Sequence, residues 1–263
     1  MNYLDKFKLD KKVAYVLGGS GTIGAEVCKA LQDCKAEVIN LDKKNNIILK
    51  KRKINFINFD LKKLKTSEKK INKIIRENKV PDIFINCSYP FTNDWKSMSF
   101  KKLRIKSVQD NINLQLNSAV WITRLIAESM RKNKVKGSIL SLGSIYGMVA
   151  QDQKLYKNTN IELNSIYSAI KGGLVNYTKQ LASYYGKFNI RANVISPGGI
   201  KGKISGKSKT HNSKFIKNYS SRTALNRMAT TADIAPVVVF LVSDASSYIT
   251  GANIVVDGGW TIT

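Results

Sequence analysis

Val13-Ala14-Tyr15-Val16-Leu17 runs directly into Gly18-Gly19-Ser20-Gly21-Thr22-Ile23-Gly24. Five consecutive apolar residues suit a short strand buried on both faces. Ala25 to Leu31 follows with the spacing of an amphipathic helix. Strand, glycine turn and helix, in that order, form the setting in which such a motif binds a dinucleotide. The glycines permit a tight turn and let the backbone approach a pyrophosphate closely. The helix start adds free N–H groups and the positive end of its dipole. An ordinary strand-to-helix turn can also be glycine-rich, and the next stretch separates the two. Ala36-Glu37-Val38-Ile39-Asn40-Leu41-Asp42 reads as a second strand ending in an acid, 24 positions after Gly18. A ribose-binding carboxylate belongs about there. Asp42 can accept hydrogen bonds from a ribose 2′-OH and repels a 2′-phosphate, so NAD is expected as the cofactor. Lys43 and Lys44 leave NADP possible.

Outward from this unit the pattern repeats. Ile54 to Asp60, Asp82 to Asn86, Gly137 to Leu142, Phe188 to Ile195 and Ala252 to Val256 read as further strands. Ser67 to Lys79, about Lys106 to Met130, and Ala232 to Leu241 have helical spacing. The second of these should turn Leu114, Val120, Trp121, Leu125 and Met130 inward. Asn45 to Lys53 reads as a polar connection and Met148 to Asn160 as a polar insert. Alternating strands and helices imply an α/β fold, a Rossmann-type doubly wound parallel sheet of about seven strands with helices on both faces. No internal linker divides the chain, so residues 1–263 are expected to form one domain. The Lys-, Ser- and Gly-rich stretch 200–222 is expected to act as a substrate-binding lid.

Chemistry enters at Asn164-Ser165-Ile166-Tyr167-Ser168-Ala169-Ile170-Lys171-Gly172-Gly173. Ile161 to Lys187 reads as helix, and Tyr167 and Lys171 are four apart, so phenol and ammonium share one face. A neighbouring cation should lower the pKa of Tyr167 and suit it to general acid–base work. A Tyr-x-x-x-Lys pair alone arises often by chance. It gains weight beside the glycine turn and Ser144, which follows a strand end.

Composition bounds the alternatives. There are 263 residues, 43% hydrophobic, enough for one large α/β domain. A single histidine, His211, argues against a His-based triad and a metal site built on imidazoles. Cys28, Cys34 and Cys87 lack metal-ligand spacing and are expected to be reduced thiols in a cytoplasmic protein. No stretch approaches the roughly 18 apolar residues of a membrane span. The net charge of +26 suits an anionic partner, but only 8 of the 44 basic residues are Arg and the Lys pairs are scattered. Nucleic acid is therefore not expected as a partner.

These pieces, in this order, resemble the short-chain dehydrogenase/reductase family along nearly the whole chain. The resemblance assigns Gly18 to Gly24 to the cofactor turn and Asp60-Leu61 to the adenine. It places Asn86 beside the cofactor and Pro197-Gly198 beside the nicotinamide. Ser144, Tyr167 and Lys171 match the catalytic residues. The stretch from Ser243 to Gly251, with Val256-Asp257-Gly258-Gly259, resembles the tetramer-forming branch, so a homodimer or homotetramer is implied. Departures are plain: Thr22 stands where a glycine is usual and should narrow the pyrophosphate site. Cys87-Ser88-Tyr89 replaces Asn-Ala-Gly, and Gln115 falls at the family's fourth catalytic position, with Asn111, Asn113 and Asn117 nearby. Ser-Ile-Tyr-Gly, the longer insert, Ser-Pro-Gly-Gly-Ile and Val-Asp-Gly-Gly-Trp resemble the subgroup acting in bacterial surface-polysaccharide and flagellin-glycan biosynthesis.

The resemblance implies interconversion of a secondary alcohol and a ketone. Tyr167 would take the hydroxyl proton as hydride leaves the carbinol carbon, Ser144 would hold the oxygen, and Lys171 would hold the nicotinamide ribose. The expected substrate is a sugar or nucleotide-sugar, met by Tyr146, Tyr156, Asn158, Thr159 and Asn160, with Lys201, Lys203 and Lys207 on a phosphate. Two alternatives stay open: a 3-oxoacyl-(acyl-carrier-protein) reductase, and a non-catalytic binding protein on the same fold.

Overall fold

A computed structural model describes residues 2–157, 159, 162–202 and 211–263. Seven parallel strands form one sheet in the order β3-β2-β1-β4-β5-β6-β7. They are β1 (Val13–Leu17), β2 (Glu37–Asp42), β3 (Asn55–Asn58), β4 (Ile83–Asn86), β5 (Ser138–Leu142), β6 (Arg191–Pro197) and β7 (Asn253–Val256). The central strands β1, β4 and β5 are buried at every position, whereas the edge strands β3 and β7 are not.

The helices are α1 (Thr22–Asp33), α2 (Ile47–Lys51), α3 (Ser67–Asn78), α4 (Ile105–Ile112), α5 (Ser118–Lys132), α6 (Tyr167–Tyr185), α7 (Ser213–Ser220) and α8 (Thr231–Val242). The period-2 alternation of β1 sorts its side chains between two cores. Ala14 and Val16 pack with Val27 and Leu31 of α1 and Ile234 and Val238 of α8. Val13, Tyr15 and Leu17 pack with Ile71 of α3, Ile122 and Ile126 of α5, and Leu181 of α6. Both faces of the sheet are thus covered, as a parallel sheet requires. None of the helices is long and apolar enough to cross a membrane among the described residues.

Local departures from the sequence expectations have local causes. The polar stretch 45–53 contains α2, because Asn46 caps its start by accepting from the Ile48 N–H and Leu49 is buried. The sixth strand starts at Arg191, since Gly186–Phe188 forms a 3₁₀ turn and Asn189 has a left-handed φ of +58°. The long helix is interrupted by a π turn, Asn113–Asn117, between α4 and α5. Trp121 does not turn inward; it is 36% exposed, with the Arg124 guanidinium 5.2 Å from its ring. Helix α6 begins at Tyr167, not Ile161. Asn164 accepts from the Ile166 N–H and donates to the Trp95 carbonyl, while Ser165 donates twice to the Met98 carbonyl. These bonds hold residues 164 and 165 against the loop after β4.

Strand order reverses between β1 and β4. The carboxyl ends of β1, β4, β5 and β6 therefore carry Gly18, Asn86, Ser144 and Pro197 to one edge of the sheet, where ligands bind in open α/β folds.

Candidate active site

The turn after β1 is shaped by what it excludes. Gly18 has φ +77°, and a Cβ there would lie 2.6 Å from the Ser88 Cα. A Cβ on Gly24 would sit 2.2 Å from the Gly18 carbonyl oxygen. Gly21 is the N-cap of α1 and supplies no side-chain hydrogen bond, so first-turn N–H groups remain for an anion. Ile23 packs on the core beneath. Thr22, expected to narrow this site, is exposed on the first turn of α1. Asp42 lies across the turn: its carboxylate accepts from the Ser20 N–H at 3.0 Å and from the Lys43 N–H at 2.6 Å. The Ser20 hydroxyl accepts from the Asn40 amide at 2.9 Å.

Beside Asp42 opens a cavity of about 290 Å³, lined among others by Lys43, Lys44, Asp60, Lys63 and Lys70. Asp60 caps the following turn by accepting from the Lys62 N–H, and the Lys43 ammonium is 3.9 Å from it. Leu61 opens that turn and packs against the second core. Asn86 is buried at the end of β4 and accepts from both the N–H and the hydroxyl of Ser88. Pro197 ends β6; the Gly198 N–H donates to the Val256 carbonyl, and a Cβ on Gly198 would meet the Asp257 Cα at 3.0 Å.

Ser144, Tyr167 and Lys171 converge. Ser144 is buried, accepts from the Tyr146 N–H at 3.2 Å, and its hydroxyl favours the ionised form of Tyr167. Lys171 is buried, donates to the Leu142 carbonyl at 2.9 Å, and has its ammonium 5.8 Å from the centre of the Tyr167 ring. The ionisation of this pair differs from the sequence expectation. Burial pushes the Tyr167 phenol up to about 12, with Ser144 opposing. Burial also pushes Lys171 down to about 8. Desolvation disfavours the charged form of both groups, and here it outweighs their helical proximity.

Gln115 sits in the π turn, buried, and its Nε2 has no partner among the described residues. The turn lies against α6, where a Cβ on Gly173 would meet Leu116 at 3.0 Å. Asn111 is committed elsewhere: it accepts from the Thr92 N–H and donates to the Thr92 hydroxyl and the Ser107 carbonyl. Asn117 donates to Asn113.

The surroundings of Tyr167 are aromatic to a degree the sequence reading missed. Tyr89, Trp95 and Tyr146 stand edge-on to it, with ring centres 5.9, 6.2 and 6.3 Å away. Trp260 and Tyr219 extend this surface from the chain end and α7. Tyr156 packs on Phe215. The available signal was Tyr89 itself, a large ring where the resemblance has glycine. Thr159 bonds back to the Tyr156 carbonyl, and Lys201 is exposed with its N–H on the Ala229 carbonyl. Asn158, Asn160, Lys203 and Lys207 lie outside the described residues.

A family model described as enoyl-(acyl carrier protein) reductase matches residues 19–261. The chain belongs to the short-chain dehydrogenase/reductase family. This is a family of oxidoreductases, which removes the non-catalytic alternative. A post-translational flagellin modification protein from Campylobacter coli is 30% identical, over 96% of this chain and 99% of that protein. A 3-oxoacyl-(acyl-carrier-protein) reductase from Buchnera aphidicola is 31% identical, over 97% of this chain and all of that enzyme. A short-chain dehydrogenase from Leptospira borgpetersenii, solved with bound NAD+, superposes with a TM-score of 0.84 at 32% identity, covering 99% of this chain and 96% of that one.

Proposed function

We propose that this short-chain dehydrogenase/reductase uses NAD(H) to interconvert a secondary alcohol and a ketone on a sugar or nucleotide-sugar. The observation that carries the reading is the convergence of buried Ser144 and Lys171 with the partly buried Tyr167 at the strand edge that also bears the glycine turn. Gly18 to Gly24 fits a pyrophosphate, because Gly18 and Gly24 bring backbone against backbone too closely for a Cβ and leave the start of α1 open. Asp42 fits the adenosine ribose, Asp60 and Leu61 the adenine, and Asn86, Lys171, Pro197 and Gly198 the nicotinamide end. When bound, the nicotinamide supplies or accepts the hydride.

The protein's own groups handle the oxygen and its proton. Ser144 donates a hydrogen bond to the substrate oxygen and stabilises charge that develops there. Tyr167, kept neutral by burial, gives its proton to a ketone oxygen in reduction. In the oxidation direction it must first lose that proton, so oxidation should accelerate as pH rises. Lys171, charged below about pH 8, favours the phenolate as it forms. Gln115, at the position the resemblance gives to the proton path, has a buried amide N–H without a partner among the described residues.

The sugar reading is supported by the aromatic surface of Tyr146, Tyr156, Tyr219 and Trp260, and by a relative that acts in flagellin modification. The described part of the segment 200–222 contributes Phe215 and Tyr219 to that surface, which supports its reading as a lid within a single domain. A homodimer or homotetramer is supported by exposed apolar side chains near the β7 edge, including Tyr248, Val255 and Ile262. A cytoplasmic location is supported by three unpaired cysteines. A second reading, reduction of a carrier-bound 3-oxoacyl group with NADPH, is supported by the Buchnera relative and by the lysines of the cavity beside Asp42.

Titration of NADH and NADPH by nicotinamide fluorescence separates the two. Preference for NADH, followed by turnover in a panel of sugar phosphates and nucleotide-sugars, is the expected result. Preference for NADPH with turnover of an acetoacetyl thioester would establish the second reading.

A further inference from the structure

Tyr89 follows β4 and occupies a position where a side chain this large has an immediate consequence. Its ring centre is 5.9 Å from that of Tyr167, and the Lys171 ammonium lies 5.6 Å from it. The ring is held from behind: the Trp95 indole N–H donates to the Tyr89 phenol oxygen at 2.9 Å. Trp95 is itself buried and edge-on to both Tyr89 and Tyr167. The loop that carries the two rings is built, since Asp94 accepts from the Thr92 and Ser107 hydroxyls and from Arg104. The carbonyls of Trp95 and Met98 take hydrogen bonds from Asn164 and Ser165, immediately before the catalytic helix.

We propose that Tyr89 is a positioning residue of the catalytic pair: pinned by Trp95, its π face holds the Lys171 ammonium against Tyr167. Resting on the reading of Ser144, Tyr167 and Lys171 as the catalytic set, it assigns a role to a residue that set does not include. A cation over an aromatic face is attracted by the ring quadrupole; the Lys171 side of this contact is buried, while Tyr89 is 40% exposed. Lys171 has few other partners for its charge. The Leu142 carbonyl accepts from it, and among the described residues the ionisable groups around it are the Cys87 thiol and the Tyr89 and Tyr167 phenols. Among the described residues it forms no ion pair with a carboxylate. Burial alone drives this ammonium toward its neutral form. The Tyr89 face works in the other direction and keeps a proton on Lys171 near neutral pH.

The test needs no substrate. The purified full-length protein is trace-acetylated with acetic anhydride across a pH series, and labelling of Lys171 is read by mass spectrometry. Tyr89→Phe keeps the π face and should reproduce the wild-type profile. Tyr89→Leu keeps bulk and removes the face, and should move half-labelling of Lys171 to lower pH by about one unit. Coincident profiles for wild type and Tyr89→Leu overturn the proposal. If Tyr89→Leu does not fold, Trp95→Phe carries the test, because it removes the N–H that pins the ring. A smaller downward shift supports the proposal and coincidence overturns it. NADH titration of the same proteins keeps the two readings apart: a wild type that binds no NADH overturns the cofactor assignment, whatever the Lys171 profile shows.

Discussion

The glycine turn and the catalytic face sit at the same edge of one sheet and are built in opposite ways. From Gly18 to Gly24 the working parts are backbone atoms, and the turn depends on side chains being absent. Around Tyr167 the working parts are side chains, and their behaviour depends on how many others crowd them. The first region can be spoiled by adding one carbon; the second can be retuned by changing a neighbour that does no chemistry. One region is therefore a matter of sterics and the other a matter of desolvation.

The largest effect expected falls on the catalytic face. Tyr167→Phe should lower turnover about 10²–10⁴-fold, the usual worth of a positioned acid–base group, and leave NADH affinity intact. Steady-state rates and a fluorescence titration check this; turnover within tenfold of wild type removes Tyr167 from its role.

Lys171→Met comes next and reports on desolvation. The folded protein holds Lys171 at about 8, below its ordinary 10.5. Its protonation therefore destabilises the folded state below about pH 8, and that cost disappears as pH rises from 8 to 10.5. Over this window wild type should gain about 3 kcal/mol of stability relative to Lys171→Met, from 1.36 kcal/mol per unit. Denaturant melts at several pH values measure it, and a pH-independent difference would contradict the burial argument.

Gly24→Ala tests the steric region. With its Cβ 2.2 Å from a carbonyl oxygen, backbone must move, and a loss of about 1–3 kcal/mol is expected together with weaker NADH binding. Gly21→Ala is the control, because its Cβ would meet only the Gly18 carbonyl oxygen, at 3.3 Å. Equal losses in the two variants would mean that the turn is not limited by close approach. The smallest effect belongs to Thr22→Gly. Since Thr22 is exposed, NADH affinity should stay within about twofold, or 0.5 kcal/mol. A large gain would restore the view that Thr22 narrows the pyrophosphate site.

Much of the architecture was legible because it rests on short-range rules. β1 was read with its observed ends, since a run of five apolar residues closed by glycines admits few alternatives. The order of strands and helices followed from alternating periodicity. Helix α2 was missed because it is five residues long, and its one buried side chain, Leu49, leaves no period to detect. The early start assigned to α6 failed for a related reason. Residues 164 and 165 are held out of the helix by hydrogen bonds to Trp95 and Met98, nearly seventy positions away.

The same division applies to function. By itself the sequence determined that a glycine turn precedes a helix, that an acid ends β2, and that Tyr167 and Lys171 stand one helical turn apart. Each is a statement about spacing along the chain, where backbone geometry is the only physics needed. Only the tertiary structure decided that Tyr167 is held neutral, that Lys171 is driven toward neutrality, that Tyr89 stands beside both, and that Trp95 stands beside Tyr167. Those properties come from the loss of water, and water is expelled by residues brought together from β4, β5, α6 and the chain end.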